Sequence, residues 1–508
     1  MAASTNETTA PSGAEAPDVF HFDNTYARLP DRFFVRQAPV PVKAPSLVHL
    51  NTVLAAELGL DAEHLASPRG VAVLAGNRVP SGAEPLAQAY AGHQFGGFSP
   101  SLGDGRALLL GEITDRSGQR CDIQLKGSGP TPFSRRGDGR AALGPMLREL
   151  IIGEALFAHG IPTTRALAVV TTGEYAMREK PLVGAVLTRV AASHIRVGTF
   201  QFFAARRDTE AVRTLADYVI ARHYPHCTEA ANPYLALLEE VTARQAELVA
   251  RWQLIGFIHG VMNTDNMAIS GQSIDFGPCA FMDAYHPGTV YSSVDETGRY
   301  AYANQPGIAQ WNLTRLAECL LELIDTDEGR AVDQARTVLM GFGPRFEAAH
   351  LSGLRRKLGL QDARDGDATL AGDLLELMAA AGADYTLTFR SLADVAGPDD
   401  DASPFVAHFA DRTAATDWLA RWRGRLAEEP VASTAARHDA MRLANPLYIP
   451  RNHLVEEALS QAQNAGDLGP LGRLLDILSR PFDHQPGAER HAQPPRPDEV
   501  VHLTFCGT

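Results

Sequence analysis

Between residues 103 and 190 the chain carries short strand-like apolar runs, and from about Ala211 onward it turns to longer stretches with apolar residues at helical spacing. Arg106 to Ile113 and Cys121 to Leu125 read as strands joined by the turn Asp115-Arg116-Ser117-Gly118, a hairpin signal. A Gly/Pro/Arg-rich loop, Gly127 to Arg140, leads into a helix from about Pro145, a favoured first-turn residue, to His159, where Gly160 and Pro162 stop it. Two further strand-like runs follow, Ala166 to Thr171 and Gly184 to Val190. The order strand, strand, helix, strand, strand predicts a small, mostly antiparallel sheet with one inserted helix. Helices are predicted at Leu215 to His223, Pro233 to Ile258 and Leu313 to Leu323, with a loop-rich segment, Gly260 to Asp283, between the last two.

The flanks read differently. Residues 1–18 are small, polar and acidic, which predicts a disordered tail; they lack both the apolar core of a secretory signal and the arginines of a transit peptide. Residues 19–99 mix short apolar segments with Pro39, Pro41 and Pro45 and a helical stretch around Leu47 to Leu58, and are expected to pack as an extension on something larger. Residues 346–480 form a further helical region, broken near Gly397 to Asp401. Residues 481–508, rich in Pro, His and Arg at their start, read as a flexible arm ending in Cys506-Gly507-Thr508. The expected class is α+β: a small β-rich lobe with one helix (100–191), then a large helical lobe (192–345), with extensions at both ends. That is the layout of the protein-kinase fold.

Composition narrows the function. With 508 residues, 45% hydrophobic and 21% charged, the chain is an ordinary globular protein of about three domains by length, not a fibrous or disordered one. Lys and Arg number 46 against 60 Asp and Glu, a formal charge of −14, which argues against coating a nucleic acid and leaves room for a local basic site for one nucleotide. No run approaches the ~18 apolar residues of a membrane span, so no membrane partner and a cytoplasmic location are expected. The five cysteines are scattered without a C-x-x-C pair, and no zinc site or disulfide framework can be read from their spacing.

The chemical parts of a kinase largely appear in order. Lys126 closes the run Asp122-Ile123-Gln124-Leu125-Lys126, where a lysine can reach a phosphate. Glu149 lies in the inserted helix and can hold that lysine; Glu154 is the rival, sharing a helical stripe with Leu147, Leu150, Ile151 and Ala158. Further on, His259-Gly260-Val261-Met262-Asn263-Thr264-Asp265-Asn266 precedes Ile274-Asp275-Phe276-Gly277, and Asn266 and Asp275 fit the two metal positions of a catalytic loop and an Asp-Phe-Gly segment. Val261 stands where an ordinary kinase carries its catalytic Asp, so Asp265 is the nearest carboxylate able to take a proton from a hydroxyl. The glycine-rich element is off pattern: Gly103-Asp104-Gly105-Arg106 replaces G-x-G-x-x-G. Arg106, Gly127-Ser128-Gly129 and Arg135-Arg136-Gly137-Asp138-Gly139-Arg140 offer guanidiniums and backbone amides to phosphate, or form a solvated basic loop.

On these segments, with Leu147 to Thr164, Leu187 to Gln201, the run 85–99 and Asn445 to Arg451, the chain resembles the selenoprotein O family of kinase-like protein adenylyltransferases. The resemblance implies a nucleotide held in the reverse of the usual kinase orientation, so that AMP passes from ATP to a Ser, Thr or Tyr hydroxyl of a protein substrate and pyrophosphate leaves. It further implies that Lys126 and Arg106 contact the distal phosphates with Gly103 and Gly105 beside them. Asp138 and Gly139 would lie at the nucleotide, and Arg189 and Arg196 would complete the pocket. Asp265 would be the general base, and Asn266 and Asp275 the ligands of Mg²⁺ or Mn²⁺. Some members carry selenocysteine third from the C-terminus; the residue here is Cys506, and a reversible Cys279–Cys506 disulfide is expected on that ground. Two other function classes stay in view: a phosphotransferase acting on a small molecule or a protein, whose usual catalytic Asp is missing here, and a noncatalytic scaffold, for which metal ligands would be superfluous. Acceptor identity and oligomeric state are left open by the sequence.

Overall fold

The structure, a computed structural model, describes residues 19–397, 399–430 and 433–505. Its strands in chain order are β1 (Phe34–Arg36), β2 (Ser46–Leu50), β3 (Leu86–Gln88), β4 (Gly92–Gln94), β5 (Gly97–Ser99), β6 (Ala107–Thr114), β7 (Arg120–Lys126), β8 (Ala141–Ala142), β9 (Arg165–Met177), β10 (Pro181–Ala191), β11 (Phe257–Ile258) and β12 (Ala280–Phe281). Eight of them form one antiparallel sheet in the order β1-β3-β6-β7-β10-β9-β2, with β8 added to β10. The β6–β7 hairpin turns where predicted, because the Asp115 carboxylate accepts from the backbone N–H of Ser117 and Gln119, both at 2.8 Å, and fixes the turn.

Two features of this sheet differ from expectation. The segment expected to pack as an extension supplies three of its strands, β1, β2 and β3. Within it, the stretch expected to be helical around Leu47 to Leu58 begins as β2 on the sheet edge; the helix Thr52–Glu57 starts only after Asn51, whose side chain caps it by accepting from Leu54 N–H at 2.9 Å. A second predicted helix is shorter than expected: Pro233–Leu254 stops before Gly256, which takes φ +70°, and the next two residues form β11, paired with β12.

The helix Leu143–Ala158 crosses the sheet and is buried along most of its length. Leu147, Leu150 and Ile151 meet Val169 and Leu187 of the sheet as well as Val455 and Leu459 of the helix Asn452–Asn464 and Leu474 of the helix Gly469–Leu478. The C-terminal helical region therefore braces the same helix that carries Glu149. The remaining helices build three further cores, one around Trp252, Leu313 and Leu316, one around Trp418, Trp422 and Tyr385, and one where Leu54, Leu65 and Val71 meet Leu125, Val170 and Val186 of the sheet. The arm expected to be flexible is packed over its described part: it forms the short helix Glu489–Ala492, and Thr504 is buried. Residues 1–18 and Cys506, on which the tail and disulfide expectations fall, lie outside the described residues. Among the described residues no helix is long and apolar enough to cross a membrane.

Lys357, in the last turn of the helix Phe342–Lys357, is 4% exposed and has no carboxylate partner among the described residues. Its ammonium stands 4.4 Å from the Phe389 ring centre, and burial holds its pKa down to about 7. In the unfolded chain a lysine stays charged up to about pH 10. Between about pH 10 and 7 the unfolded state thus binds the extra proton, and each step down in pH favours unfolding. Lys357→Met is expected to raise stability by several kcal/mol at pH 7, the gain shrinking toward pH 10. Denaturant midpoints of parent and variant at the two pH values check this; a gain independent of pH would refute it.

Candidate active site

β7 ends at Lys126, opposite Ala107 of β6 and Leu187 of β10, so the backbone that carries this side chain is held by a strand on either side. The ammonium donates to Glu149 Oε2 at 2.6 Å and to Asp275 Oδ1 at 2.5 Å. Arg189, two residues along β10 from Leu187, approaches Glu149 Oε1 at 2.5 Å and Asp275 Oδ1 at 3.4 Å. Two cations and two carboxylates therefore form one cluster joining the sheet, the crossing helix and the Asp-Phe-Gly segment. Of the two glutamates left open by the sequence, Glu149 meets the lysine. Glu154 is turned away and holds Arg165 through Nε at 2.8 Å and Nη2 at 2.6 Å.

The charges in this cluster stabilise one another. Burial opposes ionisation of Glu149, but Arg189 and Lys126 outweigh it and hold its carboxyl below the usual range. Desolvation likewise opposes the Asp275 carboxylate, and Lys126, Arg189 and Arg106 together hold it far below the usual range. Asp275 also takes φ +70°, a left-handed backbone conformation that non-glycine residues adopt mainly where surrounding contacts impose it. His259 is the strut beneath it: its ring Nε2 lies 2.9 Å from Ile274 O, and its backbone N–H donates to Gln305 Oε1 at 3.0 Å.

Gly103, Gly105, Arg106, Asp138, Gly139, Asp265, Asn266 and Asp275, all singled out from sequence, line one cleft of about 760 Å³. Lys126, Glu149 and Arg189 stand behind Asp275. Arg196 lies with its guanidinium 4.5 Å from the ring centre of Tyr90, a cleft residue, and 3.6 Å from Asp104. Gly139 takes φ +64°, and a Cβ there would meet the Gly129 carbonyl carbon at 2.1 Å, so the basic loop closes only with glycine at this position. Asp138 accepts from Arg178 Nη1 at 3.0 Å. Arg106, Arg135, Arg136, Arg140 and Arg178 line the cleft with three carboxylates, Asp138, Asp265 and Asp275, a cationic excess in an acidic chain. A separate cavity of about 600 Å³, near Arg251 and Lys357, contains none of the candidate site residues.

In the loop after His259, Asn266 Nδ2 donates to Val261 O at 3.0 Å, which turns its amide oxygen away from that bond. Asp265 is buried, which pushes its pKa up to about 6 against the lowering effect of a backbone hydrogen bond and of Gln94. Gln94 Nε2 donates to Asp265 Oδ2 at 3.1 Å, and Asp265 Oδ1 has no hydrogen-bond partner. Cleft residues that sequence reasoning did not single out include Tyr90, Gln94, Phe133, Asn263 and Arg178. Gly92, Gly96 and Gly97 around Gln94 are a turn signal the sequence reading did not use, and no local signal ties that turn to a residue 171 positions away.

Cys279 is fully buried, and burial pushes its thiol up to about 12. Just before it, Pro278 O accepts from the Thr504 hydroxyl, while Thr504 N–H donates to Tyr291 O at 2.7 Å and Ser293 N–H to Thr504 O at 3.0 Å. The C-terminal arm is thus stitched to the segment that follows Asp275.

The model of a family described as protein adenylyltransferase SelO matches residues 19–479. Proteins named protein nucleotidyltransferase YdiU are similar over nearly the whole chain. The one from Rhizobium johnstonii is 62% identical over 96% of this chain and 97% of its own length. Those from Bradyrhizobium diazoefficiens and Methylorubrum extorquens are 61% and 60% identical, each over 96% of this chain and 99% of their own.

Proposed function

The chain belongs to the SelO family of protein adenylyltransferases and is a nucleotidyltransferase, and from that premise we propose that it moves AMP from ATP to Ser, Thr or Tyr hydroxyls of protein substrates on a kinase-like bilobal frame. The observation that carries the proposal is the cluster of Lys126 with Glu149 and Asp275, set against a cleft whose catalytic-loop carboxylate is Asp265, with Val261 in the usual kinase position.

The acceptor oxygen attacks the α-phosphorus, the bond from that phosphorus to the bridging oxygen breaks, and pyrophosphate departs. Asp265 takes the hydroxyl proton; its burial keeps it basic enough for that role and still ionised near neutral pH. Lys126, Arg106, Arg189 and Arg196 neutralise the phosphates, and Gly103, Gly105, Asp138 and Gly139 shape the pocket around a nucleotide held in reverse. Alignment and charge neutralisation supply most of what such a transfer needs.

The residues present fit Mg²⁺ or Mn²⁺. Asn266 and Asp275 present amide and carboxylate oxygens to one cleft, the hard donors these ions prefer. Among the described residues no group of three or more His, Cys, Asp or Glu is built to hold a metal alone, which suits an ion completed by phosphate oxygens. When bound, the ion would offset charge on the reacting phosphates. A Cys279–Cys506 disulfide belongs to the same reading, supported by the anchoring of Thr504 beside Pro278.

Incubation of the purified reduced protein with Mg²⁺ or Mn²⁺ and ATP labelled on either the α- or the γ-phosphate tests the activity. Protein label from the α-position alone is expected. Label from the γ-position would instead make the protein a phosphotransferase with Asp265 as its base, and binding without either label would leave a scaffold. The same reaction on oxidised protein, with nonreducing peptide mapping, tests the disulfide; absence of a linked Cys279–Cys506 peptide would remove it.

A further inference from the structure

The hairpin β4–β5 lies outside the eight-stranded sheet and reaches from the N-terminal segment to the loop that carries Asp265. Three bonds tie the two together: His93 N–H donates to Thr264 Oγ1 at 2.7 Å, Phe95 N–H to Asn263 Oδ1 at 3.2 Å, and Gln94 Nε2 to Asp265 Oδ2 at 3.1 Å. In the first two the hairpin's main chain donates to side-chain oxygens of the loop and sets the hairpin's position, and the third is, among the described residues, the only side-chain bond it makes to an acidic group of the cleft. Asp265 Oδ1 is buried and unpartnered, packed against Gly92 so closely that a Cβ on that glycine would come within 2.6 Å of it. Asn263 is itself held by the Tyr300 hydroxyl at 2.6 Å, and Thr264 by Gln201 at 2.5 Å, so the loop beneath the hairpin has few ways to shift.

A buried carboxylate with one bonded and one bare oxygen has its plane fixed by that single bond and by the wall beside it. We propose that Gln94 is a positioning residue for nucleotidyl transfer: its amide clamps one oxygen of Asp265 and sets the carboxylate against the acceptor hydroxyl, while Gly92 leaves the space the carboxylate needs. This rests on the reading of Asp265 as the base, and Gln94 acts through Asp265 without touching nucleotide phosphate. Loss of the clamp leaves the carboxylate in place but free to turn, a misalignment that costs on the order of 10–100-fold in the chemical step.

The test uses the full chain with Mg²⁺ and α-labelled ATP, with self-labelling and α-casein as acceptors. Gln94→Met keeps the length of the side chain and removes the donor. The expected result is a kcat lower by about 10–100-fold with the ATP KM within about twofold of the parent. Gly92→Ala, which drives a methyl group toward Asp265, is expected to show the same split and provides a second variant should Gln94→Met not fold. In an Asp265→Asn background Gln94→Met is expected to cause no further loss, because its effect passes through the carboxylate. An unchanged kcat in Gln94→Met, a KM rise matching the kcat loss, or additive losses in the double variant would each overturn the proposal. Asp265→Asn labelling at the parental rate would instead remove the base assignment itself, and a parent that transfers no label would remove the reading of the activity.

Discussion

Asp275→Ala is expected to lower AMP transfer by about 10³-fold or more while leaving metal-free binding of ATP intact. The separation follows from the cluster around it. Among the described residues, Asp275 is the one that both faces the cleft and bonds Lys126 and Arg189. Removing it leaves two cations sharing the single carboxylate of Glu149, so this side of the cleft becomes more positive. Metal-free ATP should bind as well as before or better. The contribution of Mg²⁺ or Mn²⁺ to affinity should vanish, since Asn266 alone offers one neutral oxygen. Calorimetry with ATP, with and without the metal, together with α-label transfer, reads both parts. Retention of the metal's effect on binding in Asp275→Ala would show that the ion is held elsewhere, and an unchanged transfer rate would remove Asp275 from the site.

How far the sequence reached depended on distance along the chain. The β6–β7 hairpin and the helix Leu143–Ala158 were legible because their signals are local: a turn with Asp and Gly, and an apolar stripe stopped by Gly160 and Pro162. The three-residue strands β1 and β3 carry too few positions for a period to emerge, and they become strands only by pairing with each other and, for β3, with β6. β2 was misread because Ser46–Leu50 runs into a true helix with only Asn51 between them. The choice between Glu149 and Glu154 turned on helix geometry: five residues at about 100° each put them about 140° apart, so one helix cannot aim both at Lys126. The apolar stripe that favoured Glu154 is the surface this helix buries, yet β9, which packs beside it, opens with Arg165, the partner that takes Glu154. The motif residues from Gly103 to Asp275 converge on one cleft because their spacing encodes chemistry, whereas Gln94 is tied to Asp265 by a contact no spacing rule describes.

Arg451→Met is expected to be the most damaging substitution to stability outside the cleft, at about 3–5 kcal/mol. Arg451 is fully buried, and its guanidinium binds three separate parts of the chain. Nη1 donates to Asp283 Oδ1 at 2.7 Å and to Asp384 Oδ2 at 2.6 Å, and Nη2 donates to Asp384 Oδ1 at 3.1 Å and to Ala492 O at 2.9 Å. Asp283 follows β12 at the end of the segment that begins with Asp275. Asp384 caps the helix Tyr385–Leu392 by accepting from Leu387 N–H at 2.8 Å, and Ala492 belongs to the C-terminal arm. Methionine fills similar volume but leaves two carboxylates without their cation. Burial already pushes the Asp283 pKa up with Arg451 in place, so without it the folded state must bind a proton there or bear an unpaired charge. The folded pKa then stands above the unfolded one, and the added penalty is lost as pH falls and the carboxyl is neutralised. The denaturant midpoint of Arg451→Met should therefore lie far below the parent at pH 8 and closer to it at pH 5. Arg451→Lys should fall between, because a point charge cannot bridge both carboxylates and the Ala492 carbonyl as the planar fork does. A deficit equal at both pH values would mean that lost packing, not the stranded carboxylates, sets the cost. If the arm is held by this arginine, proteolysis after residue 480 should accelerate in the same order, parent, Arg451→Lys, Arg451→Met, linking the charge at Asp283 to the order of the chain's end.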